Sequence, residues 1–333
     1  MPQPDDERSS WWSFAVMAGV SAITVAVMAW MYLPRYPIRF RAGASICGCL
    51  LLQLLLVAAP CIESSRRAIH TWVSRHDVPA FVAIWCLPYL VYCAGTLDFR
   101  WTSLGRLVIA AALVLTVYRV FPARNPSRLC WQDAAVGIWL VAIVLLHGFG
   151  GVWRVPVNLD FMGRLFLITV ASWCWIFVRP VPNLGYDFHI TGKVAKAAAV
   201  NFVWFALIAI PSGLALRFTA WNPRWRSLAV FGADYLEIFL FIALLEELFF
   251  RGFLQNLISN SLKSWKWGQL IASCLFGLFH ILHAPFPNWR YVALATVAGW
   301  FYGSAFRQGG SVVASSLVHA MVDTVWRTWL TRG

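Results

Sequence analysis

The chain has 333 residues, of which 60% are hydrophobic and only 12% are charged. Soluble domains carry about 45–50% apolar and about 25% charged residues, so this composition excludes an ordinary soluble protein and predicts a lipid bilayer around most of the chain. The net charge of +13 does not predict nucleic-acid binding, because the Lys and Arg residues are spread over nearly every short connector, as is typical of residues that flank membrane spans.

Long apolar runs recur from one end of the chain to the other. Their length of roughly 18–22 residues matches the ~20 residues that a spanning helix needs. We therefore predict an all-α fold, a polytopic bundle of about 11 transmembrane helices (a range of about 9–12), with the active-site cavity among the last four. The predicted spans are 11–33, 43–61, 79–97, 105–122, 133–149, 161–178, 195–216, 228–250, 267–284, 290–306 and 311–330.

Acidic residues divide the chain into two regions. An ionisable side chain inside a bilayer is costly, and it faces the protein interior, pairs with another charge or marks a functional path. The acids within apolar segments all lie in the last hundred or so residues. They are Asp234, Glu237, Glu246, Glu247 and Asp323. We therefore predict an N-terminal transmembrane region, 1–160, whose role the sequence leaves open, and a C-terminal region, 161–333, that carries the chemistry.

The stretch "LLEELFFRGFLQN" (244–256) places three charged residues in an apolar run. Glu247 and Arg251 are four residues apart, with the glutamate on the N-terminal side, so they can pair on one helix face. Glu246 is five residues before Arg251 and therefore points about 140° away from it. We predict that the Glu247–Arg251 pair holds the site together and that Glu246 is a general base.

Two further apolar spans each bring a histidine to the interior. His280 ends the run "CLFGLFH", and His319 lies four residues before Asp323 on the same helix face. His283 follows His280 by one turn, but Pro285 is close behind, which predicts a position at the helix mouth. Because buried polar groups offset one another's burial cost, we predict one shared polar site formed by the three spans.

The residues of this site favour hydrolysis by an activated water. The sequence contains no G-x-S-x-G nucleophile elbow, and the small-residue packing of helices explains Ser315 and Ser316. Glu246, helped by His280, is then expected to take a proton from water. His319 and Asp323 are expected to face the oxyanion that develops on the carbonyl. The predicted reaction is amide hydrolysis inside the bilayer.

Three motifs resemble those of one known family. "EELFFRG" (246–252), "FGLFH" (276–280) and "HAMVD" (319–323) are similar, in order and spacing, to the signatures EExxxR, FxxxH and HxxxN/D. These signatures belong to the CAAX protease and bacteriocin-processing family of glutamate intramembrane endopeptidases. "RQGGS" (307–311) also resembles the family's lead-in to the last motif. The resemblance covers about 236–326.

The resemblance implies a metal-independent membrane endopeptidase without a cofactor, a multi-pass protein in a plasma membrane of bacterial type. Its substrate would be a membrane-associated or hydrophobic peptide. By the family pattern Glu246 is the catalytic base, with Glu247 and Arg251 beside it. The eukaryotic CAAX-cleaving members carry Asn where this chain has Asp323. An ionised aspartate cannot donate a hydrogen bond to an oxyanion, so Asp323 is either held protonated by burial or orients His319.

Two other functions remain open on the residues alone. Glu246, His280, His283 and His319 are ligand types suited to a zinc-dependent hydrolase, although an HExxH helix is absent. Buried Glu, His and Asp side chains also occur in proton-coupled transporters and in membrane sensors that cleave nothing. Asp234 and Glu237 are expected either to line the cavity or to lie near the membrane surface at the start of their helix.

Overall fold

The computed structural model describes residues 4–73, 78–223 and 227–332, and in it the chain forms two compact units. The first unit comprises Met1–Pro126 with Cys130–Val181, and the second comprises Ser127–Leu129 with Pro182–Gly333. The division by role after residue 160 stays a prediction, since it concerns function rather than contacts.

Seven helices form the described part of the first unit. They are α1 (Pro4–Tyr32), α2 (Phe40–Ala58), α3 (Glu63–Val73), α4 (Val78–Thr96), α5 (Trp101–Val120), α6 (Trp131–Leu145) and α7 (Phe161–Trp173). Short 3-10 turns, Leu33–Arg35 and Ala59–Cys61, follow α1 and α2, and a π-helical turn, Cys174–Val178, extends α7. The apolar runs are long enough to satisfy their own backbone hydrogen bonds, which a bilayer requires of any segment that crosses it.

A fully buried ion pair connects three of these helices. Arg179, just after α7, donates from Nε to Asp133 Oδ1 and from Nη2 to Asp133 Oδ2, each over 2.8 Å. Tyr118 of α5 donates to the same carboxylate, and Trp175 donates to the Tyr118 hydroxyl. Burial lowers the pKa of the Arg179 guanidinium, but the hydrogen bonds to Asp133 and the charge of that carboxylate together outweigh burial, so the pKa lies above its usual value.

The second unit contains the predicted site. Its elements are α8 (Gly192–Ala215), β1 (Thr219–Trp221), α9 (Leu228–Ile238), α10 (Leu244–Glu247), α11 (Asn256–Leu262), α12 (Trp265–Leu278), α13 (Trp289–Gly309), α14 (Val312–Trp329) and β2 (Leu330–Arg332). The two strands pair antiparallel, with Ala220 opposite Thr331, and so join the end of α14 to the segment after α8. This short ribbon is the one exception to an all-helical architecture among the described residues.

The helix that carries the two adjacent glutamates contains two π-helical segments. From Leu228 to Leu262 it is continuous, but Phe239–Ala243 and Leu248–Gln255 are π-helical, so α10 is a single α-helical turn between them. π-Helical turns are rare and occur often at functional sites. The changed winding sets the direction in which Glu246, Glu247 and Arg251 leave the helix.

Small residues bring α12 and α13 into close contact. A Cβ on Gly299 would lie 3.1 Å from Cα of Ser273. At Gly303 a Cβ would lie 2.9 Å from Cγ of Gln269 in α12 and would also overlap the side chain of Gln255 in the neighbouring Leu248–Gln255 segment. The absence of these side chains allows the helices to approach closely, as is common where helices pack in membranes.

A helix occupies the position of each predicted span, but the count of eleven spans is not confirmed. Seven helices in the described part of the chain are long and apolar enough to cross a membrane. Of the other four, α6 and α12 are short, with 15 and 14 residues. α13 and α14 have the length but are too polar, and in α14 the site residues themselves reduce the hydropathy. The coarser prediction, a polytopic helical membrane protein, is confirmed.

The Asp133–Arg179 pair gives a stability prediction. Asp133→Asn leaves a buried guanidinium without its counter-charge, so the variant is expected to lose about 3–5 kcal/mol of unfolding free energy. Chemical unfolding of the detergent-solubilised protein measures the loss. Asp160→Asn, an exposed aspartate at the start of α7, is the control and is expected to change stability by less than about 0.5 kcal/mol. An Asp133→Asn variant as stable as the wild type would contradict the prediction.

Candidate active site

The carboxylate of Glu247 is the centre of the site. It is fully buried, and each of its oxygens has a partner. Arg251 donates from Nε to Oε2 over 2.9 Å, so the pairing that the four-residue spacing predicts is present. His319 of α14 lies with Nδ1 2.9 Å from Oε1. One carboxylate thus ties the motif helix to α14.

The contact with Glu247 assigns a proton to Nδ1 of His319. A carboxylate oxygen in this contact only accepts, so Nδ1 carries a proton and donates it to Glu247. The other ring nitrogen, Nε2, then faces two further acids. It is 3.5 Å from Asp323 Oδ2 and 4.0 Å from Glu246 Oε2. The three predicted acids Glu246, Glu247 and Asp323 therefore surround one imidazole.

Arg251 is held by rings as well as by Glu247. Its guanidinium carbon lies 5.2 Å from the ring centre of Phe276 and 6.0 Å from that of Tyr302. Nη1 and Nη2 are buried without a hydrogen-bond partner among the described residues. Cation–π attraction is worth most where the cation is desolvated, and here it acts on a cation whose remaining donors are unpaired.

His280 lies beyond the end of α12 rather than within it. The predicted span ran to residue 284, but the helix ends at Leu278, and the next backbone bonds tighten to i→i+3, such as His280 N–H to Gly277 O over 2.9 Å. Pro285 and Pro287 prevent the helix from continuing, because proline lacks the N–H. The His280 ring is oriented by its own chain, since Nδ1 donates to Phe276 O over 2.9 Å. Its Nε2 is left as the nitrogen that can accept a proton in the neutral ring.

A cavity of about 310 Å³ lies next to both histidines. This is the size of a small-ligand pocket. Among the described residues its wall includes His280, His319 and Asp323 but not Glu246. Much of the remaining wall is apolar or aromatic, with the rings of Phe218, Tyr291 and Trp326 among it. The structure therefore brings the predicted site residues together, and Glu246 reaches the group through His319 rather than through the wall.

Asp234 and Glu237 both contact Arg327, a residue of the cavity wall. Asp234 is 4% exposed, so it is buried in the protein. Arg327, which lies in the cavity wall, has its Nη1 3.4 Å from Asp234 Oδ1 and 3.9 Å from Glu237 Oε1. These acids therefore join α9 to the end of α14. No spacing rule connects these acids to Arg327, which lies 93 positions after Asp234.

The zinc hypothesis receives no support from ligand placement. Within the described ranges, no three or more His, Cys, Asp or Glu side chains are grouped so that they could hold a metal ion. His283, one of the four candidate ligands, stacks on His280 with ring centres 5.6 Å apart instead of pointing to a common centre.

Comparison with known proteins supports the motif assignment. Residues 228–325 match the family model described as "Type II CAAX prenyl endopeptidase Rce1-like". All three motifs lie within the match, which confirms the resemblance inferred from them and points to a protease. The matched segment is less than a third of the chain. Since seven helices in the described ranges are able to cross a membrane, the chain is a multi-pass integral membrane protein. Searches of curated proteins and of solved structures found no match.

Sequence reasoning did not find the Glu247–His319 hydrogen bond. The two residues are 72 positions apart, and no spacing rule connects them. The excess of acids over bases around the motifs was a usable signal, because a buried carboxylate with one arginine still has an oxygen to satisfy.

The environments of the two glutamates predict different effects on stability. Glu247→Gln leaves Arg251 as a buried, unpaired cation and is expected to cost about 3–5 kcal/mol of unfolding free energy. The Glu246 side chain is 32% exposed, so Glu246→Gln is expected to cost less than about 1 kcal/mol. Chemical unfolding in detergent compares the two isosteric variants. Equal losses, or a larger loss for Glu246→Gln, would show that the burial assignment is wrong.

Proposed function

We propose that this protein is an intramembrane endopeptidase. It hydrolyses a peptide bond in a membrane-associated or hydrophobic substrate, using a water molecule activated by Glu246 and His280. The observation that carries this proposal is the convergence of Glu246, Glu247 and Asp323 on His319. His319, Asp323 and His280 line the adjacent cavity, and all of these residues lie in a segment that matches a family model of CAAX prenyl endopeptidases. Prenylated CAAX peptides are the substrates that the family's name suggests for this chain.

In the proposed reaction, Glu246 takes a proton from water while the water oxygen bonds to the carbonyl carbon. His280 accepts a hydrogen bond from the same water at Nε2. The carbonyl oxygen becomes an oxyanion in the tetrahedral intermediate. When the C–N bond breaks, Glu246 returns its proton to the leaving amine. General acid–base catalysis of this kind is expected to contribute about 10²–10⁴-fold in rate.

His319 is proposed as the oxyanion donor. With Nδ1–H committed to Glu247, the imidazole presents Nε2–H to the cavity, and the surrounding carboxylates compensate the charge of the doubly protonated ring. Asp323 then acts on His319 rather than on the substrate, at 3.5 Å from Nε2. Glu247 and Arg251 hold this arrangement and do not touch the substrate.

Water is a better nucleophile candidate here than a serine hydroxyl. Ser315 and Ser316 are fully buried, and both donate to Val312 O, over 2.9 and 2.8 Å. A hydroxyl bonded to its own helix backbone is not poised to attack a substrate. We also propose that α6, α12, α13 and α14 cross the bilayer with the seven candidate helices of the described chain, giving eleven spans, because each of the four occupies the position of one predicted apolar run.

The general-base role predicts the behaviour of one isosteric variant. Glu246→Gln is expected to lower kcat by about 10²–10⁴-fold, since the amide cannot accept the proton from water. The assay is cleavage of an internally quenched peptide with a prenylated C-terminal CAAX sequence, beside the same peptide without the lipid. Glu237→Gln, on the same long helix, is the matched control and is expected to retain activity. Cleavage by Glu246→Gln at the wild-type rate would refute the role.

The physiological substrate requires the native host. Wild type, Glu246→Ala and His280→Ala are expressed at matched levels, and new protein termini are compared in membrane and secreted fractions. Termini lost in both variants identify an endopeptidase and its substrates. Termini unchanged in both, with the proteins folded and abundant, would favour a transporter or sensor.

Metal removal separates the proposal from a zinc-dependent hydrolase. A water activated by carboxylate and imidazole needs no metal, so incubation with 1,10-phenanthroline or EDTA followed by desalting is expected to leave the cleavage rate unchanged. Metal analysis of the purified protein accompanies the assay. Loss of activity that added Zn²⁺ restores would establish the zinc mechanism instead.

A further inference from the structure

We infer that Tyr302 of α13 is a positioning residue for His319 in the proposed proteolysis. The inference rests on the proposed function and adds a residue outside all three motifs. The Tyr302 ring is 1% exposed and stacks on the imidazole, with ring centres 4.7 Å apart and planes 16° from parallel. Offset-stacked rings at this separation attract each other beyond their buried area.

The stack supplies an orientation that the hydrogen bond to Glu247 does not. That bond fixes the position of Nδ1 but allows the ring to turn about the bond axis. Tyr302 covers one face of the imidazole, and Phe276 meets it edge-on, with centres 5.7 Å apart and planes 89° apart. These contacts define the ring plane, and the plane decides whether Nε2–H faces the cavity and the expected oxyanion.

Charged and titratable groups surround His319 on every packed element. They are Glu246 and Glu247 on α10, Arg251 on the π-helical turn, His280 after α12, Tyr302 on α13 and Asp323 on α14. Three carboxylates lie around one imidazole, and a hydrogen bond to each of them would require a different orientation of the ring. The neutral face of the Tyr302 ring favours the one orientation in which the imidazole lies parallel to it, and it adds no charge to the site. Its quadrupole also attracts a cationic ring.

The position of Tyr302 follows from the packing of α13. Gly303 has no side chain where Gln255 and Gln269 meet, and Gly299 allows contact with Ser273. The close approach brings Tyr302 to Phe276, with ring centres 5.7 Å apart. The Arg251 guanidinium lies over both rings, 5.2 Å from the centre of Phe276 and 6.0 Å from that of Tyr302. The two rings therefore contact both the arginine and the histidine that are bound to Glu247.

Kinetics of three variants test the inference on the prenylated CAAX peptide. Tyr302→Leu is expected to lower kcat by about 10²-fold, since a displacement near 1 Å is enough for such a loss, while KM changes by less than about threefold. Tyr302→Phe keeps the ring and is expected to restore most of kcat. Phe301→Leu, the neighbouring aromatic, whose ring lies near Phe205, is the matched control and is expected to behave as wild type.

Several outcomes would overturn the inference. A Phe variant as impaired as the Leu variant would assign the effect to the hydroxyl. An effect confined to KM would make Tyr302 a binding residue. Unfolding free energies of Tyr302→Leu, His319→Gln and the double variant give a third test. If the rings stack, the double variant is expected to lose less stability than the sum of the two single losses. A loss equal to that sum would overturn the inference. A wild type that cleaves neither peptide nor any host protein refutes the proposed function itself, and the role of Tyr302 in catalysis with it.

Discussion

The carboxylate of Glu247, buried between a guanidinium and an imidazole, is the constraint on which the second unit depends. A charge removed from water is tolerated only when partners of good geometry surround it. That requirement fixes the winding of the motif helix, because Arg251 must face Glu247, and the placement of α14, because His319 must reach the second oxygen. The rings of Phe276 and Tyr302 then enclose the pair, and the glycines of α13 allow them to come close enough.

Two adjacent glutamates in one apolar run have different surroundings, and chemistry often uses such a contrast. Glu247 is completely enclosed, and both of its oxygens are used. Glu246, one position earlier, is 32% exposed and 4.0 Å from Nε2 of the shared histidine. The first suits a fixed counter-charge, and the second suits a group that exchanges protons with water. The division of labour follows from a difference of one residue in helix position.

Local patterns made part of this structure predictable from the sequence. The four-residue spacing of Glu247 and Arg251 predicted their pairing, and the apolar runs located the helices. The sequence could not predict contacts between residues far apart in the chain, nor the combined effect of several residues on the length of a span. The Glu247–His319 hydrogen bond joins residues 72 positions apart, and the ion pair of Asp133 and Arg179 joins residues 46 positions apart. Prolines after His280 shortened a span that composition alone extended, and the polar site residues of α14 conceal its length from a hydropathy criterion.

The order of the ion-pair partners along the chain has a consequence for biogenesis. A membrane chain is made from its N-terminus, so the helix Leu228–Leu262 meets the bilayer before α14 has been synthesised. Each charge at mid-membrane costs about 2.5–3.5 kcal/mol on insertion scales, and the pair within one helix lowers that cost while His319 is still absent. The helix therefore inserts with the charge of Glu247 already paired to Arg251 of the same helix. The cluster around Glu247 is completed only when α14 has been synthesised, so a nascent or truncated chain holds the glutamates without His319.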